Sequence, residues 1–114
     1  MGIATNVIDK YQTCIDACTK CAQACTECKV ACLKEPDVKN RIKCIGILSE
    51  CACLCKEASS FMAMDAKYAK EVCKLCASVC TDCANECGMF KEDHCVKCAG
   101  ECRTCADECT AMSQ

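Results

Sequence analysis

The sequence is poor in the groups that most activities require. Its 14 basic residues face 16 acidic ones, for a formal net charge of −2, so there is no basic surface to meet the phosphates of a nucleic acid. No apolar run approaches the roughly 20 residues of a membrane-spanning helix, and none of the 114 residues is expected to enter a membrane. The opening MGIATNVIDKYQTC lacks the basic stretch, apolar run and small-residue cleavage site of an export signal. A cytoplasmic setting, where thiols stay reduced, is therefore expected. Histidine occurs once, at His94, and no base accompanies one distinguished thiol, so no catalytic role is expected.

Cysteine is abundant, with 20 residues in the chain, a level that marks a disulfide scaffold or a metal binder. The cysteines fall in four blocks: Cys14, Cys18, Cys21, Cys25, Cys28 and Cys32; Cys44, Cys51, Cys53 and Cys55; Cys73, Cys76, Cys80, Cys83 and Cys87; and Cys95, Cys98, Cys102, Cys105 and Cys109. Three blocks alternate strictly between steps of three and four, which places every thiol of a block on one face of a helix. Pro36, Gly88 and Asp93 punctuate the chain as helix ends or caps, while the stretch KEASSFMAMDAKY offers only Ser59, Ser60 or Asp65 as a cap. Helices are expected over roughly 4–34, 37–58, 62–88 and 92–112, joined by short connections. The expected fold is all-α, a single domain over 1–114 built as an antiparallel up-down-up-down four-helix bundle with a cysteine-lined core.

Nineteen of the thiols fit a single face per helix, where an ordinary bundle would carry leucine, isoleucine and valine. A thiol fills less volume than leucine, so a core of thiols alone would be underpacked and open to oxidation. Cysteines four apart on one helix bridge poorly, although pairs across helices could approach disulfide geometry. Metal collection is the better reading. Thiolates favour Cu(I), Zn(II) and iron–sulfur clusters. Four thiolates around zinc leave two net negative charges per site, which a stack of sites in a dry tube would accumulate. Cu(I) takes two or three thiolates, and bridging sulfurs bring the ratio toward one ion per thiolate, neutral overall. The run C-x2-C-x2-C-x3-C-P of iron–sulfur proteins does not occur.

The segments CIDACTKCAQACTECKVAC, CKLCASVCTDCANEC and HCVKCAGECRTCADEC resemble the bacterial copper storage proteins, cysteine-rich four-helix bundles that hold Cu(I) inside. The resemblance runs from about Tyr11 to Met112, and the missing signal is similar to the cytosolic branch. It implies storage, buffering and detoxification of multiple Cu(I) ions per chain and a homotetramer, with a copper chaperone or a small thiol as donor. The implied metal ligands are the nineteen striped cysteines, that is, all except Cys53. Zinc or mixed-metal sequestration, a thiol/disulfide redox buffer and a helical interaction protein with passive cysteines are the competing readings.

Antiparallel geometry gathers Val7, Tyr11, Met62, Ala66, Ala69 and Met112 at one end, which reads as an apolar plug. The opposite end gathers Cys32, Cys44, Cys87 and Cys95, with Met89, Phe90 and His94 nearby, and reads as the mouth. His94 and Met89 are the candidate entry ligands. Cys53, two residues from both Cys51 and Cys55, is turned about 200° from each on a helix. It points away from the lumen, on an outer face with Ile42, Gly46 and Ser49 that suits a subunit contact.

Overall fold

The structure, a computed structural model, describes residues 9–114. Four helices follow one another, α1 (Gln12–Leu33), α2 (Ile42–Ala63), α3 (Ala69–Cys87) and α4 (Asp93–Met112), with 3-10 turns at Asp9–Tyr11 and Val38–Arg41 leading into the first two. Each helix packs on its neighbours in sequence, and α4 closes the ring on α1. The result is the antiparallel up-down-up-down bundle, with no strand among the described residues.

Helix ends differ from the sequence expectation in instructive ways. The expected start of the first helix near residue 4, and Val7, lie outside the described residues. The second helix begins at Ile42 rather than at 37, because Val38–Arg41 take the tighter 3-10 form after Pro36. It then runs to Ala63 rather than stopping at 58, and α3 starts at Ala69 rather than 62. The stop is made by Asp65, the single non-glycine residue with positive φ among those described, at 50°. Asp65 N–H donates to the Met62 carbonyl at 3.0 Å and Ala66 N–H to the Phe61 carbonyl at 2.9 Å. That is the Schellman closure usually made by glycine, performed here by an aspartate, which tolerates the left-handed region better than most residues. Ser59 and Ser60 thus lie inside α2 and cap nothing.

Gly88 does follow α3, but its φ is −64°, so backbone freedom is not its use. A β-carbon there would sit 3.1 Å from the Ala84 carbonyl and 3.5 Å from Arg103 Nη2, and it is close approach that favours glycine. Asp93 is the first residue of α4 rather than its cap. Glu92 holds the capping position in extended conformation, with no side-chain capping bond.

All nineteen striped cysteines are buried, and Cys53 is exposed. Alanines follow them in sequence at Ala22, Ala52, Ala84, Ala99 and Ala106, every one of these buried as well. With one-carbon side chains beside short thiols, the helices close around a narrow lumen to the density that interiors require. Leu48 and Met62 are the large apolar side chains within it, both fully buried and each contributing about 1.5–3 kcal/mol of transfer free energy.

Candidate metal centre

The stripes on α1 to α4 converge along the bundle axis into a continuous column of sulfur. At the end where α1 begins, Cys14 and Cys18 lie 3.7 and 3.5 Å from Cys109, with Cys73 in the same cluster. Further along, Cys105 reaches Cys18 at 3.5 Å and Cys55 at 3.8 Å, while Cys55 stands 3.7 Å from both Cys76 and Cys80. The middle of the column joins Cys51 to Cys80 at 3.6 Å, Cys21 to Cys102 at 3.8 Å, and Cys25 to Cys102 at 3.6 Å. Cys25 continues to Cys83 at 3.9 Å and Cys98 at 3.8 Å, and Cys44 pairs with Cys87 at 3.7 Å. The last step links Cys28 and Cys32 to Cys95 at 3.9 Å each. These separations are far beyond a disulfide bond of about 2.05 Å, and every cysteine is a free thiol.

The sulfurs gather into sets of three or four whose ligand atoms lie within 4.8 Å of one another. The sets overlap. Cys109 joins Cys14 and Cys73 but also Cys18, Cys76 and Cys105; Cys105 belongs as well with Cys21, Cys55 and Cys80; Cys21 recurs with Cys25, Cys51 and Cys102. Isolated tetrahedral sites would each need four ligands of their own. Shared sulfurs are suited instead to bridging several soft, singly charged ions.

Ionisation is uneven along the column, because thiols so close together cannot all carry charge. Hydrogen bonds with Cys102 and Cys25 hold Cys98 down to about 5, and those with Cys105 and Cys14 hold Cys109 at about 2. Burial, followed by the charge of Cys32, pushes Cys95 up to about 12. Burial opposes charge along the column, while hydrogen bonds between sulfurs favour the thiolate at some positions over others, and a bound cation would take the place of the thiol protons.

Apolar groups close the first end: Tyr11, Met62 and Ala69 are buried there, with Met112 half-buried. At the other end the expected rim thiols Cys32, Cys44, Cys87 and Cys95 are present, but all four are buried rather than open to solvent. Over two of them, Cys32 and Cys95, lies Arg41, which the sequence reading did not single out. Among the described residues it is the one buried charged side chain, 1% exposed. Its Nη1 donates to Cys32 Sγ at 3.7 Å and Cys95 Sγ at 3.6 Å, its Nε to Asp37 at 2.6 Å and its Nη2 to Glu92 at 2.7 Å. The Phe90 ring lies 4.3 Å below the guanidinium carbon. Asp37, then Glu92, keep the guanidinium firmly charged, and both carboxylates are in turn held below their usual range by it. A signal was available, since position 41 lies three residues before Cys44 and so extends the inward stripe of α2.

His94 sits beside the same end. Its Nδ1 is 3.4 Å from Cys28 Sγ and 3.5 Å from Cys95 Sγ, and it forms one set of potential ligands with Cys28, Cys32 and Cys95. It lines a cleft of about 340 Å³ between α1 and α4, together with Ala24, Ala31 and Cys98. Met89 lies in the α3–α4 connection and is 67% exposed. Cys53 faces outward, as its offset in the stripe requires, and a β-carbon added at Gly46 on the same face would meet nothing within 4 Å.

Comparison with known proteins gives consistent results. The family model described as Csp, copper storage protein, matches residues 7–114. The apo form of copper storage protein 3 from Bacillus subtilis is 39% identical, with a TM-score of 0.84 over 91% of this chain and 99% of that one. A Cu(I)-bound copper storage protein, BsCsp3, is 41% identical, with a TM-score of 0.87 over 91% and 98% of the two chains. A cytosolic copper storage protein from Streptomyces lividans, solved with five coppers, is 36% identical, with a TM-score of 0.86 over 90% of each chain.

Proposed function

The chain belongs to the copper storage protein family, and from that premise we propose that its four helices act as one storage unit that takes Cu(I) into the sulfur column. The observation that carries this reading is the sharing of Cys21, Cys105 and Cys109 between adjacent sets of ligands. Sulfurs that bridge let many Cu(I) ions be held at close to one per thiolate, so the buried charge stays near zero. Stacked zinc sites have no such relief. The ligands are the nineteen buried cysteines, with His94 receiving ions at one end; Met89, on an exposed loop, is suited to transient contact with an arriving ion.

Storage in the cytosol, where thiols remain reduced, fits the twenty free thiols, and the Streptomyces relative is described as cytosolic. The donor would be a copper chaperone or a small thiol that hands Cu(I) on by ligand exchange. Assembly into a homotetramer is supported by the outer face of α2, where Ile42 is 66% exposed and lies on the same side as Gly46, Ser49 and Cys53. The reading assigns the chain no catalysis.

Anaerobic titration of the reduced apo-protein with Cu(I) against a competing chelator tests it. Uptake that continues well past the number of separate four-thiol sites, toward one ion per buried thiol, is expected. Saturation at one ion per four thiols, or a preference for Zn(II), would instead mean zinc sequestration. Loss of thiols on mild oxidation with no stoichiometric metal uptake would point to a redox buffer.

A further inference from the structure

We propose that Arg41 is the gate of the copper column: its guanidinium closes the end over Cys32 and Cys95, and must swing outward before Cu(I) enters or leaves there. This rests on the storage reading above and assigns a control point to it.

The placement of the guanidinium carries the inference. It touches the sulfurs of Cys32 and Cys95 on its inner side, and all four cysteines of this end, Cys44 and Cys87 included, are no more than 1% exposed. It is held from the outside by Asp37 in the α1–α2 connection and by Glu92 in the α3–α4 connection, so one side chain fastens the two connections across the end. The carboxylates are 44% and 37% exposed, and lie on the solvent side of the guanidinium. An arginine that rotates outward can therefore keep a carboxylate partner and exchange its sulfur contacts and the Phe90 ring for water. Loaded thiolates still accept hydrogen bonds, so the gate closes again behind the ions. The opposite end is closed by the buried Tyr11, Met62 and Ala69. His94 in the α1–α4 cleft touches Cys95, the same sulfur that Arg41 Nη1 holds, so an ion received at His94 reaches the column where the guanidinium closes it; Cys28 and Cys98, behind the cleft, are each 1% exposed. Opening at Arg41 requires one side chain to move.

The test compares the rate of Cu(I) transfer from a low-molecular-weight thiol complex into reduced apo-protein, and the rate of removal from loaded protein by a strong Cu(I) chelator. The proteins are the parent, Arg41→Met and the double variant Asp37→Asn/Glu92→Gln, which keeps the arginine but loosens its hold. Both rates should rise about tenfold in Arg41→Met, the factor equivalent to 1.4 kcal/mol of closure. The double variant should fall between it and the parent, with final copper per chain the same in all three. Ala52→Gly, which weakens α2 midway along its length without touching the stripe of thiols, serves as the control and should leave both rates near the parent values.

Unchanged rates in both gate variants would overturn the proposal and direct attention to the α1–α4 cleft. Equal acceleration in Ala52→Gly would also overturn it, because general loosening would then be the cause. A parent protein that takes up no stoichiometric copper would overturn the storage reading itself, whereas a parent that fills while Arg41→Met fills no faster would leave storage standing and remove only the gate.

Discussion

Glu35, just past the end of α1, lies 3.0 Å from Nε2 of His94 on α4. An ionised carboxylate can only accept, so Nε2 carries a proton, and in the neutral imidazole the Nδ1 lone pair faces Cys28 and Cys95, at 3.4 and 3.5 Å. A histidine oriented by a carboxylate is the arrangement that fixes both tautomer and direction at metal sites. His94→Ala is expected to slow acceptance of the first copper equivalent and to lower total uptake by no more than about one ion, as one ligand is lost from a set of four. Glu35→Ala should give a smaller slowing with unchanged uptake. Single-turnover transfer monitored by ultraviolet thiolate-to-copper absorption is the measurement, and equal behaviour of His94→Ala and parent would remove the residue from the entry path.

Leu48 interrupts the thiols of α2 midway between Cys44 and Cys51 and is fully buried. Leu48→Ala should destabilise the apo-protein by about 2–5 kcal/mol, the transfer and cavity cost of such a truncation, as read by chemical denaturation under reducing conditions. Leu48→Cys would instead add a thiol to the column. It should raise the copper content at saturation by about one ion, on the bridging reading, with total copper measured by mass spectrometry.

Copper and protons compete for the same sulfurs. Cys95, pushed up to about 12 by burial, is protonated at neutral pH, and Cu(I) must displace that proton. Filling the column should acidify a weakly buffered solution, and apparent affinity should fall as pH falls from 8 to about 6. Proton release followed by a pH indicator during anaerobic titration gives the count, and affinity that does not vary with pH would argue that the ligating sulfurs are already ionised.

Copper held by these sulfurs would link all four helices in a geometry that the unfolded chain, whose thiols bind the ion less well, does not offer. Loading should therefore raise the thermal midpoint progressively with copper added, by the mass-action stabilisation that favours whichever state binds the ligand. Chelator treatment should return the midpoint to the apo value. A midpoint insensitive to copper would mean that the ions sit outside the bundle.

Cys53 is the exposed thiol in a chain of buried ones. In copper-loaded protein an alkylating reagent should label one cysteine per chain, and Cys53→Ser should abolish that labelling without altering copper content. If α2 faces another subunit, labelling should slow as protein concentration rises, which intact-mass analysis over a dilution series reads directly.

Much of this was legible in the spacing of one residue type. Steps of three and four put Cys14 to Cys32 on one face of α1 without any knowledge of the other helices, and the same rhythm returned Cys53 to the outside. Less legible were the places where a residue acts against its usual habit. Asp65 takes a glycine's backbone conformation, so a segment with neither glycine nor proline concealed the end of α2. Arg41 lies on the inward stripe, but a charged residue there reads as the start of a solvated turn until Asp37, Glu92 and Phe90, remote in sequence or carried on other connections, are seen to surround it. Sequence spacing describes one helix at a time, and the gate exists only where two loops meet.

The regular advance of thiols along α1, α3 and α4 ties holding power to length. One further heptad in every helix would lengthen the column by about 10 Å and, at two thiols per heptad per helix, would add about eight sulfurs. No new pocket would have to be shaped, because each added layer repeats the one below it. A protein of this kind can be enlarged or reduced by whole turns, like a rack to which shelves are added, while the closures at its two ends stay as they are.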